Sequence, residues 1–143
     1  MASGHKTILS VCTRCRPSGV PIELADRPGY KLAEELRALF PKSRAAQKGV
    51  ALRGVCCMSQ CKRHCVIALS GEGKFTLLFG DLDHEADAGS ILEMAALYAE
   101  QADGLIERPD RPAPLRAGIL GRVPPDDHDQ FIDEDFTISS HTN

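Results

Sequence analysis

Six cysteines stand out in a chain of 143 residues. Two lie in Cys12-Thr-Arg-Cys15, and four lie in Cys56-Cys57-Met-Ser-Gln-Cys61-Lys-Arg-His-Cys65. Thiolates at such short spacings suit a soft metal centre or redox chemistry. Each group directly follows a short apolar run, so each reads as a loop at the end of a strand. Two adjacent parallel strands would bring the loops together. A [2Fe–2S] cluster needs four protein ligands, usually thiolates. Cys12 and Cys15 supply one pair, and Cys57 and Cys61 the other. Arg14, Arg16, Lys62, Arg63 and His64 are interleaved with them and would offset part of a cluster's negative charge.

Three other readings compete. Four thiolates in two short-spaced pairs also suit structural zinc. Cys12-Thr-Arg-Cys15 beside a βαβ pattern resembles a thiol–disulfide exchange motif. That chemistry wants a helix starting at the cysteines, and here Pro17, Gly19 and a long loop intervene. A metal carrier would use the thiols left over from four ligand positions. Cys56, next to Cys57, is expected to point to the opposite strand face as a buried core residue. Cys65 opens an apolar run. It either replaces Cys15 as fourth ligand or packs beside the centre. Of the histidines 5, 64, 84, 128 and 141, only His64 lies near the cysteines, where it is either a substitute ligand or an exposed loop residue.

No nucleophile elbow, phosphate-binding glycine loop or paired catalytic carboxylates occur, so no enzyme activity is expected. The net charge is −3, which does not point to nucleic acid or an anionic membrane. The N-terminal stretch lacks the apolar run of a signal peptide, and no segment is long and apolar enough to span a bilayer. A cytoplasmic location is therefore expected. Thiols there stay reduced, which favours metal ligation over disulfides.

The elements that must hold the thiols are legible as patterns. Lys6–Val11 reads as a first strand, and Tyr30–Phe40 as a helix with Leu32, Leu36, Leu39 and Phe40 on one face, closed by Pro41. Gly49–Val55 reads as a second strand. Cys65–Leu69 and Lys74–Gly80 form an antiparallel hairpin across Gly71-Glu72-Gly73. Asp81 and Asp83 are expected to cap a second helix in which Ile91, Met94, Ala95 and Tyr98 share a face. A βαβ unit, a β-hairpin and a C-terminal helix make an α/β, thioredoxin-like sandwich on a mixed four-stranded sheet. Both cysteine groups then fall at the carboxyl ends of strands one and two, where ligands gather in open α/β sheets. Residues 1–104 would form this domain, and 105–143 a proline-rich, then acidic, extension. In it Ile119, Leu120 and Val123 suggest some packing.

Val55–Leu69, with Cys57-Met-Ser-Gln-Cys61 running into Cys65-Val-Ile-Ala-Leu69, resembles the second ligand loop of thioredoxin-like [2Fe–2S] ferredoxins. The related subunit of NADH:quinone oxidoreductase shows the same Cys-x-x-x-Cys before an apolar strand. The chain is similar over about residues 6–125 to a bacterial family of small, predicted metal-binding proteins. That similarity rests on Cys12-x-x-Cys15-Arg16, Cys57-x-x-x-Cys61-x-x-x-Cys65, Lys74-Phe75 to Gly80-Asp81-Leu82, and Arg111-Pro112 through Arg122-Val123-Pro124-Pro125. The resemblance implies one [2Fe–2S] cluster, one-electron transfer to redox protein partners, and a homodimer. Similarity to proteins near cobalamin-biosynthesis functions keeps metal handling in view. Two departures bear on the fourth ligand. The first pair here is Cys-x-x-Cys, where the ferredoxins have a wider gap, and Cys65 stands where the related subunit has proline.

Overall fold

The computed structural model describes residues 7–17, 19–126 and 131–138. Lys6, Ser18, and the histidines at 5, 128 and 141 lie outside them. The strands are β1 (Thr7–Cys12), β2 (Ala51–Val55), β3 (Ile67–Gly71), β4 (Thr76–Phe79) and β5 (Ile119–Val123). The helices are α1 (Pro28–Leu39), the short α2 (Arg44–Gln47) and α3 (Ala88–Glu100). Among the described residues the strands form one sheet in the order β2-β1-β3-β4-β5. β1 and β2 are parallel, and the remaining neighbours are antiparallel.

The βαβ unit, the hairpin and the C-terminal helix thus appear as expected, but the sheet has five strands rather than four. The fifth comes from Ile-Leu-Gly-Arg-Val in the proline-rich stretch, too short and Gly-interrupted to read as a strand. It forms because β4 offers it an open edge, pairing Thr76 with Val123 and Leu78 with Gly121. Leu115, just before it, is fully buried.

Strand pleating splits the apolar residues between two faces. Leu9 and Val11, Ile67 and Leu69, and Leu77 and Phe79 join Leu32 and Leu36 of α1 and Ile91, Met94, Ala95 and Tyr98 of α3 in the main core. The opposite parity carries a small second cluster of Cys12, Cys15 and Val66, against which Met58, Leu78 and Leu120 pack. One alternation therefore sends β1's last side chain, Cys12, away from the helices.

α1 starts with Pro28 at its first turn, where a missing N–H costs nothing. It ends before Pro41, as the pattern predicts. Leu39 from the expected apolar face is 42% exposed, because that last turn overhangs the sheet. Asp81 and Asp83 do not cap the second helix. α3 begins later, after Asp87, whose carboxylate accepts from the Asp83 N–H at 2.8 Å. At the other end of α3, the buried Lys74 donates to the carbonyls of Tyr98 and Ala99, both at 3.2 Å, a charge placed where the helix dipole is negative. Burial lowers the Lys74 pKa, and Asp103 acts against that shift.

Candidate metal centre

β1 and β2 end level with each other. Cys12 pairs in register with Val55, and the Thr13 N–H donates to the Val55 carbonyl at 2.8 Å. The two cysteine loops therefore leave the sheet side by side.

The first loop is fixed from several directions. Cys12 donates its N–H to the Val66 carbonyl at 3.1 Å, and the Gly29 N–H donates to the Cys15 carbonyl at 3.1 Å. Cys12 and Cys15 are 1% and 0% exposed. Residue 29 has to be glycine, since a Cβ there would sit 2.4 Å from the Cys12 carbonyl oxygen and 2.8 Å from the Cys15 nitrogen. Through this contact the long loop folds back. It sets the start of α1 against the cysteines in space, although Pro17 and Gly19 part them in the chain.

The sulfurs of this pair are not equivalent. The Cys15 thiol donates to Cys12 Sγ, which lowers the Cys12 pKa, and backbone N–H groups of Arg14, Met58 and Cys15 reinforce that against the cost of burial. Cys15 is pushed up by the same hydrogen bond, by burial and by the nearby sulfurs of Cys12, Cys61 and Cys65. Met58 belongs to the second loop, so its packing against the Cys12–Cys15–Val66 cluster brings the two loops together.

The second loop is more open. Cys57 is exposed, and its sulfur accepts from the Ser59 N–H at 3.3 Å, in a turn where Ser59 has φ 60°. Cys61 is half-buried and opens a 3-10 turn, Cys61–Arg63. His64 folds back so that its Nδ1 lies 2.9 Å from the Cys61 carbonyl oxygen. Cys56 is exposed, not buried as the strand alternation predicts. β2 ends at Val55 and is an edge strand, so Cys56 already lies beyond the pleat that would turn it inward.

Cys65 is buried in the main core, on the opposite parity from Val66, which packs on Cys12 and Cys15. Burial first, then Asp83, Cys12 and Asp87, pushes its thiol up to about 12. Leu82 exchanges backbone hydrogen bonds with it, at 3.1 and 3.2 Å. Arg63, read as a counter-charge for a cluster, is instead engaged by Asp81.

Among the described residues, no group of three or more His, Cys, Asp or Glu side chains is placed to hold a metal ion. The structure buries Cys12 and Cys15 together in one small cluster, with Cys61 and Cys65 within electrostatic reach of Cys15, while Cys57 is exposed. Three residues that shape the site escaped the sequence reading: Gly29, Met58 and Asp81. For Gly29, the Pro-Gly doublet before a helix was visible, but as a loop signal. Met58 and Asp81 act through contacts with partners distant in sequence.

The family model described as "Protein of unknown function (DUF1636)" matches residues 9–125. The chain belongs to the DUF1636 family. No curated protein matches it. Two solved structures do, both of a thioredoxin-like [2Fe–2S] ferredoxin from Aquifex aeolicus. One, at 16% identity and TM-score 0.54, aligns over 81% of this chain and 91% of its own. The other, of the wild-type protein, is also 16% identical, with TM-score 0.52 over 80% and 96% of the two chains. This DUF1636 protein accordingly has a thioredoxin-like fold with one added edge strand. No helix among the described residues is long and apolar enough to cross a membrane.

Proposed function

We propose that this protein is a one-electron carrier built on a single [2Fe–2S] cluster held by Cys12, Cys15, Cys57 and Cys61. The observation that carries the reading is the meeting of the two loops at the ends of paired parallel strands, where Cys12 lies in register with Val55 and Met58 of the second loop packs against the buried cluster of Cys12, Cys15 and Val66. N–H donors stabilise a thiolate over a thiol, and hydrogen bonds to cluster sulfurs raise the reduction potential. Cys57 accepts the same kind of bond from Ser59. The donors suit the group by their chemistry, all four being free cysteines on two loops that leave adjacent strand ends, although their sulfurs are not gathered into one ligand set in this structure. When bound, the cluster would supply reversible one-electron chemistry, and no residue of the chain is assigned a catalytic step. The likeness in fold to ferredoxins supports the same reading. Its low identity leaves the ligands to be argued from the residues.

Cys65 lies on the main-core side, which supports a packing role for it and Cys15 as the fourth ligand. The exposed second loop is the surface on which a redox protein partner would dock, since electron transfer needs a short path to the cluster. A second reading, a zinc-stabilised module or metal carrier, draws on the exposed Cys56 beside Cys57, a spare thiol suited to handing over an ion.

Purification without air separates the two. A [2Fe–2S] protein is expected to be brown-red, to contain iron and sulfide in equal amounts, to lose visible absorbance with dithionite, and to give an EPR signal once reduced. A colourless protein with stoichiometric zinc would overturn the electron-carrier reading.

A further inference from the structure

The loop between β4 and α3 meets the second cysteine loop at Arg63 and Cys65. The Arg63 guanidinium meets the Asp81 carboxylate side-on: Nε lies 3.0 and 2.9 Å from the two oxygens, and the terminal nitrogen 2.5 Å from Oδ2. The Asp81 N–H also donates to the Arg63 carbonyl at 2.6 Å. Cys65 and Leu82 then exchange their two backbone bonds. Asp81 holds φ 61°, a left-handed conformation that Asp tolerates better than most residues. Gly80 lets the loops approach this closely, since a Cβ there would lie 2.7 Å from the Arg63 carbonyl oxygen. Cys65 and Leu82 belong to the main core, but the Arg63–Asp81 pair does not. The ion pair is at the surface, with side chains 46% and 49% exposed.

We propose that Asp81 is a positioning residue for the metal centre. It clamps Arg63, the last residue of the 3-10 turn that opens at Cys61, and so fixes the Cys61 thiol relative to the buried Cys12–Cys15 pair. The far end of the same loop already packs on the Cys12–Cys15–Val66 cluster through Met58. Without the Asp81 side chain, the stretch from Cys61 to Cys65 would keep its own turn, the bond from the Asp81 N–H to the Arg63 carbonyl and the Cys65–Leu82 bonds, but would lose the grip on the Arg63 guanidinium. An exposed ion pair adds little to global stability. Its effect is therefore local: it suppresses opening of one loop rather than unfolding of the chain. This inference builds on the ligand role proposed for Cys61, but its first test does not need the cluster.

The test is amide hydrogen exchange on the metal-free protein, comparing wild type with Asp81→Asn and Asp81→Gly, both of which tolerate the left-handed backbone. Protection of the amides of Arg63, His64, Cys65 and Leu82 should fall about fivefold in both variants, while the β1 amides stay unchanged. High salt should produce the same loss in wild type and add nothing in Asp81→Asn, because screening weakens the same pair. In the loaded protein, Asp81→Asn should release iron to a chelator several times faster and broaden the EPR signal of the reduced state. Unchanged loop protection would overturn the proposal. So would a loss spread evenly over loop and β1 amides, which would make Asp81 merely structural. If the protein carries no iron at all, the exchange result still decides the clamp, and only the electron-carrier reading falls.

Discussion

The two cysteine loops begin at the same level of the sheet and are built in opposite ways. Cys12 and Cys15 are sealed under Val66, Met58, Leu78 and Leu120, with α1 pressed against their backbone at Gly29. Cys56 and Cys57 stand in solvent on a loop that leaves an edge strand. The first loop belongs to the fold, held by the bonds from the Cys12 N–H to the Val66 carbonyl and from the Gly29 N–H to the Cys15 carbonyl. The second is attached to it at a few points: the packing of Met58, the Asp81–Arg63 pair and the Cys65–Leu82 bridge. A centre assembled between them would rest on a buried base and be completed from an exposed side.

The sharpest way to break that comparison is to remove one sulfur at a time. Serine at Cys12, Cys15, Cys57 or Cys61 should abolish the cluster in every case, read as iron content and EPR signal. The metal-free variants should nevertheless divide. Cys15→Ser puts a hydroxyl into a fully buried site and should cost about 1–3 kcal/mol in denaturant unfolding. Cys57→Ser, at the surface, should stay within about 0.5 kcal/mol of wild type. Equal losses of stability would mean that the two loops are not built differently.

Gly29→Ala tests the buried base without touching a sulfur. The added Cβ meets backbone atoms that cannot rotate away, at 2.4 and 2.8 Å, so the strand end or the helix must shift. A loss of about 1–3 kcal/mol is expected, with a lowered iron content. Wild-type stability and loading would show that the helix contact is dispensable.

Cys65 sharpens the comparison from the side of pH. Its folded pKa is raised from 9.0 to about 12, chiefly by burial, so the native state holds a proton that the unfolded chain gives up first. The stability it contributes is complete below pH 9 and is lost as pH climbs toward 12. The slope approaches about 1.4 kcal/mol per pH unit. Metal-free Cys65→Ala should unfold with a correspondingly shallower alkaline dependence than wild type. Parallel curves for the two proteins would show that Cys65 is not buried as a neutral thiol. The smallest effect belongs to Cys56→Ser, which should change neither melting temperature nor iron content. A drop in iron content would make Cys56 a ligand and favour the metal-carrier reading.

Much of this layout could be read from local pattern. Apolar runs before each cysteine group predicted strand ends, and β1 and β2 do end there. The 3.6-residue recurrence of Ile91, Met94 and Tyr98 predicted a buried face, and all three are fully buried. β5 was not legible, because Ile119–Val123 is a strand only where β4 is available to pair with it. The burial of Cys56 was misjudged for a related reason: strand alternation says which way a side chain points, not where the strand stops or whether it has a neighbour. Asp81 looked like a helix cap because a cap and an ion-pair partner use the same residue type.

Residue type and spacing were enough to set two cysteine loops at the ends of two strands and to raise the expectation of thiolate chemistry there, since both follow from short-range periodicity and the chemistry of the thiol. Only tertiary structure decided that Cys12 and Cys15 are buried and Cys57 exposed, that Cys65 faces the other side of the sheet, and that Asp81 rather than solvent holds Arg63. Those outcomes depend on which distant segments meet, and contacts between residues far apart in the chain leave no periodic trace in it.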